Sequence, residues 1–416
     1  MKIYKVGGAV RDQLLQRPVT EIDWVVVGAT AQQLLDQGYI QVGKDFPVFL
    51  HPKSKEEYAL ARTERKTSQG YTGFTCDIST HITLEEDLLR RDLTINAMAL
   101  DQDGTLVDPY NGQLDLQNRW LRHVSDAFTE DPLRVLRVAR FAARYHYLGF
   151  RVALETMQLM RQIVQSGELE SLPSERIVTE FEKSLGEENP EIFITVLLQC
   201  GALEKLCPEI HALFGVSQNK VHHPEVDTGL HTLLALQMAV RLSNDTSVRF
   251  AALTHDLGKG NTPADILPRH IGHEQRSVDL LISFNQRLAF PNKHIQLAKL
   301  VAAQHTNVHR AQELKAQTIL GLFEKTDAYR QPQRFELLLT CCEADSRGRH
   351  QFSNRPYPQK QYLQGLLNAT LTIPTKPFIE AGIKGKEIGK AIQRTRISII
   401  KKHKQQFCWD TEPTQP

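Results

Sequence analysis

The spacing of apolar residues along the chain changes near residue 131. Before that point, short apolar runs separated by turns predict β-strands at Ile3–Val6, Ile22–Val27, Val48–His51 and Tyr58–Arg62. Asp103-Gly104 predicts a hairpin between Ala97–Asp101 and Thr105–Val107. Thr83 and Glu86 have the spacing of a capping box at the start of a helix. These signals predict a small mixed sheet with flanking helices.

After Asp131-Pro132 the apolar residues follow a helical period. Asp131 suits an N-cap and Pro132 the first helical position, so a helix is predicted over 133–145. Similar patterns predict helices over 152–166, 175–187, 190–205, 228–242, 248–257, 276–288, 294–305, 315–325 and 331–345. The predicted fold class is therefore α+β and mainly α-helical, with a mixed-sheet head followed by helical domains.

Length and composition limit the classes of protein that need be considered. The 416 residues are enough for two to four domains, and the net charge of +2 predicts no general attraction to polyanions. Any nucleic-acid surface must therefore come from local clusters of basic residues. We expect a cytoplasmic protein with reduced thiols, because Met1–Val6 leads directly into a motif and the six cysteines show no metal-ligand spacing. No apolar run is long enough to span a bilayer.

Two acids near the N-terminus, Glu21 and Asp23, are spaced for metal binding. They stand at i and i+2 where a strand is predicted, so we expect both side chains on one face of it. Such a pair can share one cation or bridge two. The preceding Gly7-Gly8 turn can hold phosphates. The alternative is a β-turn followed by a strand with a solvated acidic edge, and the arginines of later segments argue against it.

Arginines recur in two later segments. Arg91 lies at the end of the predicted capped helix, where it either complements the helix dipole or reaches a triphosphate held at the glycine turn. Arg134, Arg137, Arg140 and Arg144 form a stripe along one helix. A solvated stripe usually alternates in sign, whereas this one is entirely positive. We therefore expect it to face an anion such as nucleotide phosphate or the RNA backbone.

Asp131 and Arg134 allow two interpretations. They are three residues apart at a helix start, so a cap combined with an ion pair is the default prediction. The same two side chains also place a hydrogen-bond acceptor beside a forked donor, which is enough to recognise the hydrogen-bonding edge of a base. The spacing alone leaves both interpretations open.

A second set of candidate metal ligands lies in the helical region. His255-Asp256 follows an apolar helix, with His231 upstream and Asp345 downstream. Imidazole and carboxylate groups from neighbouring helices could surround a single ion and would suit Ni, Mn or Co. Ordinary polar residues on helix faces are the alternative. Further candidate ligands are His270, His273, His305 and His309. We expect His270 and His305 to be the weakest of these, because loop and surface histidines are common.

Taken together, these segments resemble the bacterial CCA-adding enzymes, which are tRNA nucleotidyltransferases of the class II polymerase-β-like superfamily. The resemblance is closest to the multifunctional type with a C-terminal HD phosphohydrolase domain, and it covers nearly the whole chain. It is carried by Gly7–Asp23, Arg62-Thr63-Glu64, Arg90–Asn96, Asp108–Gly112, Glu130–Arg140 and His255-Asp256. Gly-Gly or His-Asp alone would be a weak signal, whereas the combination is specific.

The resemblance implies roles for single residues of the head and neck. Glu21 and Asp23 would hold Mg²⁺, although the family usually has Asp-x-Asp, so we expect altered geometry or metal preference. Asp131 and Arg134 would act as a protein template that accepts CTP and then ATP. Residues implied to bind the incoming nucleotide are Gly8, Arg11, Arg91, Arg137 and Arg140. No third catalytic carboxylate can be identified from the sequence.

The resemblance also implies a second activity and an order of domains. The HD phosphohydrolase pattern is followed by His231, His255, Asp256 and Asp345. It implies phosphatase and 2′,3′-cyclic phosphodiesterase activity with a transition metal, for which Ni²⁺ is the expected ion. The expected domains are a nucleotidyltransferase head over 1–122, a helical neck and body over 123–222, an HD domain over 223–350 and a helical tail over 351–416. The expected partners are the tRNA 3′ end, CTP and ATP, with no DNA and no membrane, and the expected state is a monomer or weak homodimer.

Three other functions compete with this prediction. A poly(A) polymerase shares the sheet and the Gly-Gly motif, but the HD pattern and the lack of a long basic C-terminal extension argue against it. A hydrolase of signalling nucleotides with a regulatory head would not need the intact Glu21, Asp23 and Arg91. A non-catalytic tRNA-binding scaffold fits the basic residues between 394 and 404, which an enzyme could equally use to hold tRNA.

Overall fold

The computed structural model describes residues 1–42, 48–66, 74–219 and 224–409. The chain divides into two units, residues 1–206 and 207–416. The predicted boundary between residues 222 and 223 lies outside the described residues. Most described residues before position 108 belong to strands or turns and most of those after 130 to helices, so the predicted α+β, mainly helical fold class is confirmed.

The strands all lie in the first unit. They are β1 (Lys2–Val6), β2 (Asp23–Val27), β3 (Ile40–Val42), β4 (Val48–Leu50), β5 (Glu57–Leu60), β6 (Thr63–Lys66), β7 (Phe74–Asp77), β8 (Ala99–Leu100), β9 (Leu106–Val107), β10 (Trp120–Leu121) and β11 (Arg151–Val152). Seven of them form one sheet in the order β3-β4-β5-β2-β1-β8-β9. In this sheet β2 and β5 are parallel and the other neighbours are antiparallel.

The central strand β2 is covered on both faces, as its continuous apolar run predicts. Val25 packs with Val6 and Leu88 in one hydrophobic cluster. Val26 faces the other way and packs with Leu34 and Phe49 in a second cluster. This double burial fixes the register of β2, and with it the direction of the acidic side chain at its first position.

Some helices of the first unit lie between its strands and the others follow them, up to residue 206. They are α1 (Gly8–Leu14), α2 (Ala31–Asp36), α3 (Leu84–Leu89), α4 (Gly112–Asn118), α5 (Leu133–Tyr145), α6 (Leu154–Gln165), α7 (Ser174–Leu185), α8 (Pro190–Cys200) and α9 (Ala202–Leu206). The capping box of Thr83 and Glu86 starts α3 as predicted. The single helix predicted over 190–205 is two helices, because Gly201 has a φ of +83° and ends α8.

Helices are the only regular secondary-structure elements among the described residues of the second unit. Its helices are α10 (Pro208–His211), α11 (Thr228–Leu242), α12 (Thr246–Thr254), α13 (His273–Leu288), α14 (Asn292–His309), α15 (Ala316–Lys325), α16 (Pro332–Arg347), α17 (Pro358–Leu371), α18 (Lys376–Glu380) and α19 (Lys386–Gln406). Helices α11, α12, α14 and α16 pack against one another, and their buried faces meet at His255. Within the described residues, no helix has the length and apolar character that crossing a membrane requires.

Candidate active sites

Gly7 and Gly8 form the turn between β1 and α1. Gly7 has a φ of +69°, a conformation that favours glycine, and its amide donates a hydrogen bond of 3.2 Å to the carbonyl of Met98. A Cβ at position 7 would lie 2.9 Å from Nη1 of Arg91. Glycine is therefore required here both by the backbone and by the close approach of a guanidinium group.

Asp23 is the first residue of β2, and Glu21 precedes the strand. The prediction that both acids lie on one strand is therefore wrong, because β2 begins at Asp23, two residues after Glu21. Both carboxylates still line the same cavity. Burial raises the pKa of Asp23, the charge of Arg91 opposes that effect and the carboxylate of Glu21 adds to it. The neighbouring Glu21 makes the ionised form of Asp23 less favourable, and a bound cation would offset this effect.

Glu57 is a third acid at this site, and sequence reasoning did not find it. It is the first residue of β5 and the register partner of Asp23 on the parallel strand β2. Register partners project to the same face of a sheet, and Glu57 lines the same cavity as Asp23. The strand was predicted to begin at Tyr58, and no periodic signal in the sequence says which strands are neighbours.

Arg11 is buried in the wall of the cavity. Its Nη2 lies 2.9 Å from Oδ2 of Asp12, and it also donates to the side-chain oxygen of Asn96. The guanidinium carbon is 5.4 Å from the ring centre of Phe141 and 5.0 Å from that of Tyr145. Because these contacts hold it on several sides, Arg11 presents a positive charge to the cavity with little freedom to move.

Arg91 follows α3 and is held by an acid of that helix. Its Nη2 lies 3.2 Å from Oδ2 of Asp87, four residues earlier, and the buried Asp87 also pairs with Arg90 at 2.6 Å. The Arg91 side chain nevertheless lines the cavity beside the glycine turn. It is thus held by the end of its own helix while remaining available to an anion in the cavity.

The arginine stripe on α5 has acidic partners inside the protein, which the prediction of an external anion did not include. Nη2 of Arg137 lies 2.7 Å from Oδ2 of Asp92, and Nε of Arg140 lies 2.6 Å from Oε2 of Glu180. Both acids come from segments distant in sequence. Part of the positive charge of the stripe is therefore already neutralised within the first unit.

Asp131 and Arg134 do not pair with each other through their side chains, so the predicted ion pair is wrong. Oδ1 of Asp131 accepts a hydrogen bond of 3.0 Å from the amide of Leu133, and Oδ2 lies 3.1 Å from Nη2 of Arg176. Arg134 donates to the carbonyls of Ala127 and Arg90 at 2.7 and 2.6 Å. Asp131 therefore accepts a hydrogen bond from the first turn of α5, as a cap would. It lies one residue before the N-cap position, which Pro132 occupies because α5 begins at Leu133.

One cavity of about 940 Å³ brings the elements of this site together. Its lining includes every residue that the sequence predicted for metal and nucleotide binding in the head and neck, namely Gly8, Arg11, Glu21, Asp23, Arg91, Asp131, Arg134, Arg137 and Arg140. Glu57, Arg144 and Arg176 line it as well. The acids and the arginines therefore meet in one cavity large enough for a nucleotide.

A second group of polar side chains lies in the helical core of the second unit. His231, His255 and Asp345 each offer a ligand atom, and these atoms lie within 4.8 Å of one another. Nε2 of His231 is 3.0 Å from Oδ1 of Asp345, and Nε2 of His255 is 3.7 Å from Oδ2 of Asp345. All three residues are buried. Buried imidazole and carboxylate groups this close together fit a transition-metal ion.

Asp256 belongs to a neighbouring group with His273 and His305, whose ligand atoms also lie within 4.8 Å of one another. Oδ1 of Asp256 is 3.3 Å from Nε2 of His273 and 3.5 Å from Nε2 of His305. Its Oδ2 is 3.1 Å from Nε2 of His255. Asp256 therefore stands between the two groups and contacts His255, so the set of four ligands, His231, His255, Asp256 and Asp345, stays a prediction.

The expectation that His305 is a surface histidine is wrong. That residue lies near the end of α14 with only 4% of its surface exposed, and it joins Asp256 and His273. His270 lies outside both groups and contacts Thr262 instead. Burial on α14, which the sequence shows only as an amphipathic pattern, is what separates His305 from a surface histidine.

The charges in this second site are balanced in a way that fits a cation. Burial would lower the pKa of His255, but Asp256 and Asp345 outweigh it and raise that pKa to about 9. Burial lowers the pKa of His305 to about 3. Among the described residues, Nε2 of His255 and Oδ1 of Asp256 are buried without a well-aligned hydrogen bond. Buried ligand atoms of this kind fit a divalent metal, which would replace the proton on His255.

Family models match three segments of the chain. The poly(A) polymerase head domain matches residues 3–122, a probable RNA and SrmB-binding site of polymerase A matches residues 149–214, and the HD domain matches residues 228–346. The first segment contains the acidic strand and the glycine turn. The third contains both groups of candidate metal ligands.

Relatives match over nearly the full length of the chain. A multifunctional CCA protein from Pseudomonas fluorescens is 58% identical over 98% of this chain and 100% of its own length. Proteins of the same name from Thioalkalivibrio sulfidiphilus and Pseudomonas aeruginosa are 58% and 57% identical, each over 98% of this chain and over 100% and 99% of their own lengths.

Solved structures show the same fold at lower sequence identity. The CCA-adding enzyme of Bacillus stearothermophilus in complex with CTP matches with a TM-score of 0.63 and 23% identity, covering 96% of this chain and 89% of that one. The Thermotoga maritima CCA-adding enzyme complexed with tRNA matches with a TM-score of 0.60 and 20% identity, covering 97% of this chain and 91% of that one.

Proposed function

Because the chain belongs to the family of multifunctional CCA proteins, we propose that it adds and repairs the 3′-terminal CCA of tRNA from CTP and ATP with release of pyrophosphate. The observation that carries the proposal is the single cavity where Glu21 and Asp23 meet the glycine turn and the arginines. Nucleotidyl transfer needs this combination, because the attacking hydroxyl must be activated and the charge of the triphosphate neutralised.

Glu21 and Asp23 are the residues that would hold Mg²⁺, with Glu57 as a third carboxylate. Carboxylate oxygens are the ligands that Mg²⁺ prefers, and the raised pKa of Asp23, caused by burial and by Glu21 against the opposing charge of Arg91, fits a position that a cation occupies. When bound, the metal would lower the pKa of the tRNA 3′-hydroxyl and neutralise the pyrophosphate. Glu21 in place of aspartate has a longer side chain, which suits its position ahead of the strand.

Gly8, Arg11 and Arg91 would hold the triphosphate at the start of α1, and Arg137 and Arg140 would approach it from α5. Arg11 is already fixed by its neighbours and pays little side-chain entropy on binding. The ion pairs of Arg137 and Arg140 with acids keep these guanidinium groups oriented before substrate arrives. Each arginine still has donors that can reach a phosphate oxygen.

Asp131 and Arg134 would recognise the base. In the free protein Asp131 is held by Arg176 and Arg134 by two backbone carbonyls. These contacts support a template role in which the protein orients one acceptor and one forked donor in advance. Recognition of CTP and then ATP requires that some of them be exchanged for contacts with the base.

The proposal can be tested with purified protein and a tRNA that lacks its last three nucleotides. With Mg²⁺ and both CTP and ATP, the product should be extended by C-C-A and then stop. With ATP alone, the tRNA should not gain a long A tract. A long A tract would favour the alternative of a poly(A) polymerase, and a tRNA that stays unextended would contradict the proposal.

For the second unit we propose a metal-dependent phosphohydrolase that acts as a phosphatase and a 2′,3′-cyclic phosphodiesterase. Its support is the pair of ligand groups around His255 and Asp256, which lie within the segment that the HD domain model matches. The mixed nitrogen and oxygen donors favour a transition metal, and Ni²⁺ is our first choice. Hydrolysis of 2′,3′-cyclic AMP by metal-free protein reloaded with Ni²⁺, Mn²⁺, Co²⁺ or Mg²⁺ tests both the activity and the metal.

The domain boundaries remain proposals. We place the nucleotidyltransferase head at 1–122, the neck and body at 123–222, the HD domain at 223–350 and the tail at 351–416. The segments matched by family models fit inside the first three of these ranges. Limited proteolysis that cuts between the proposed domains more readily than within them would support these boundaries.

A further inference from the structure

Tyr357 lies beyond residue 346, where the match to the HD domain model ends, yet its side chain reaches the HD site. It immediately precedes α17 and places its hydroxyl 2.8 Å from Nδ1 of His309 on α14. The two rings meet edge-on with centres 5.8 Å apart. A residue that the expected tail contributes thus contacts a histidine of the HD domain.

His309 also contacts a candidate metal ligand. Its other ring nitrogen, Nε2, lies 2.6 Å from Oδ2 of Asp345. The two ring nitrogens of His309 therefore have different partners, a hydroxyl at Nδ1 and a carboxylate at Nε2. A carboxylate accepts, so Nε2–H would donate to Asp345 and Nδ1 would accept from the hydroxyl of Tyr357.

Tyr357 is suited to act as a permanent donor. Burial, the largest cause, raises its pKa well above 10, so the phenol keeps its proton at neutral pH. The segment around it is anchored to the HD helices on both sides of the site. The side-chain amide Nε2 of Gln359 donates to the backbone carbonyl of His309 at 3.3 Å. Nζ of Lys360 donates to Oε2 of Glu343 at 3.0 Å.

We propose that Tyr357 is a positioning residue of the HD site, supplied by the segment after the HD domain. By donating to Nδ1 it locks His309 in the tautomer whose Nε2–H holds Oδ2 of Asp345, and it thereby orients Asp345 for a metal ion. The proposal rests on the phosphohydrolase function proposed for this unit. Partners that orient metal ligands in this way typically change metal affinity or activity by about 10- to 100-fold when removed.

Tyr357→Phe tests the proposal, because it removes the hydroxyl and keeps the ring. The affinity of the metal-free full-length protein for Ni²⁺ is measured by calorimetry, and kcat and KM for 2′,3′-cyclic AMP are measured over a range of Ni²⁺ concentrations. We expect Ni²⁺ affinity to fall by about 10- to 100-fold. Hydrolysis should be regained in part at high Ni²⁺, with KM for the nucleotide unchanged and CCA addition unaffected.

Tyr362→Phe is the matched control, on the helix that follows Tyr357. Tyr362 is buried, but its hydroxyl has no hydrogen-bond partner within the described residues. Removing that hydroxyl should leave Ni²⁺ affinity at the wild-type value. Equal losses in the two variants would mean that tyrosines of this segment matter through packing, and this result would overturn the proposal.

A double-mutant cycle keeps the test decisive if Tyr357→Phe lowers stability. His309→Gln retains an amide donor for Asp345 but has no second ring nitrogen to lock, so Tyr357→Phe should cause no further loss of Ni²⁺ affinity in that background. An independent, additive loss would overturn the proposal. Wild-type Ni²⁺ affinity in Tyr357→Phe would do the same. If Tyr357→Phe weakens Ni²⁺ binding but wild-type protein hydrolyses nothing, the positioning role stands and the phosphohydrolase function is wrong.

Discussion

Asp23 and Glu57 are register partners on the parallel strands β2 and β5, and both residues line the cavity that we propose as the polymerase site. This relationship places a third carboxylate beside the acid pair predicted from the sequence. It arises because β5 joins the sheet next to β2 although β3 and β4 lie between them in the chain. Three acids at one edge of a sheet can bind metal more firmly than two.

Glu57→Gln should therefore slow CMP and AMP incorporation by about 10- to 100-fold, because a neutral amide is a poorer metal ligand or support than a carboxylate. The measurement is single-turnover addition to tRNA over a range of Mg²⁺ concentrations, where the variant should need more Mg²⁺. Glu56→Gln is the control, since Glu56 accepts from Nε1 of Trp24 at 3.2 Å and does not line the cavity. Equal rates for Glu57→Gln and wild type would mean that Glu57 takes no part in metal binding at this site.

The predicted acid pair and arginines were found from the sequence because the motifs that carry them are local. Glu21, Asp23, Arg134 and Arg137 each belong to a short segment whose pattern is visible without a fold. The predicted polymerase-type head and HD domain are confirmed by the family to which the chain belongs, while the roles of these residues stay predictions.

The partners of these residues could not be predicted, because they come from distant segments. Glu180 reaches Arg140 from α7, Arg176 reaches Asp131 from the same helix, and Glu57 reaches Asp23 through the strand order. Each contact depends on tertiary packing that no periodic pattern specifies. The same reason explains why the sequence predicts His305 at the surface, since its burial depends on how α14 packs.

Asp23→Ala should abolish the polymerase reaction. Loss of a principal metal ligand should reduce CMP and AMP incorporation by at least about 10³-fold. Hydrolysis of 2′,3′-cyclic AMP should stay at the wild-type rate, because the HD ligands lie in the other unit. Asp36→Ala, at an exposed acid that ends α2, is the control for both assays.

His255→Ala should have the reciprocal effect. It removes a buried ligand that faces both Asp256 and Asp345, so Ni²⁺-dependent hydrolysis should be lost while CCA addition is kept. Adding a chelator and then Mg²⁺ alone to the wild-type protein should likewise restore CCA addition but not hydrolysis. If either substitution abolishes both activities, the two-site description is wrong or the variant is misfolded, and circular dichroism separates these outcomes.

Arg134→Ala should impair the choice of nucleotide more than the binding of metal. Removing one forked donor from base recognition costs about 1–3 kcal/mol of discrimination. The ratio of kcat/KM for CTP against UTP, measured on tRNA that lacks its last three nucleotides, should fall by about 5- to 150-fold, while the Mg²⁺ dependence stays as in wild type. Arg151→Ala, at an exposed arginine of β11 outside the cavity, should leave this ratio unchanged. An unaltered ratio in Arg134→Ala would contradict the template role.

Asp92 links the stability of the first unit to pH. Burial would raise its pKa, but the charge of Arg137 and a hydrogen bond from Asn96 outweigh burial and hold that pKa below the usual value. A carboxyl group whose pKa is lowered by folding stabilises the protein above its unfolded-state pKa, near 3.9 for aspartate. This contribution is lost as the pH falls below about 4 towards the folded-state pKa.

Asp92→Asn should consequently destabilise the protein at pH 7 and matter less in acid. Removing one partner of a fully buried pair costs about 3–5 kcal/mol, and the partial exposure of Arg137 reduces this to about 2 kcal/mol because water can solvate the freed guanidinium. The urea midpoint of the first unfolding transition should drop at pH 7, and the gap from wild type should narrow at pH 3.5. Asp103→Asn, at an exposed turn, should show no gap at either pH. A gap of equal size at both values would mean that Asp92 stabilises the fold by its shape and not by its charge.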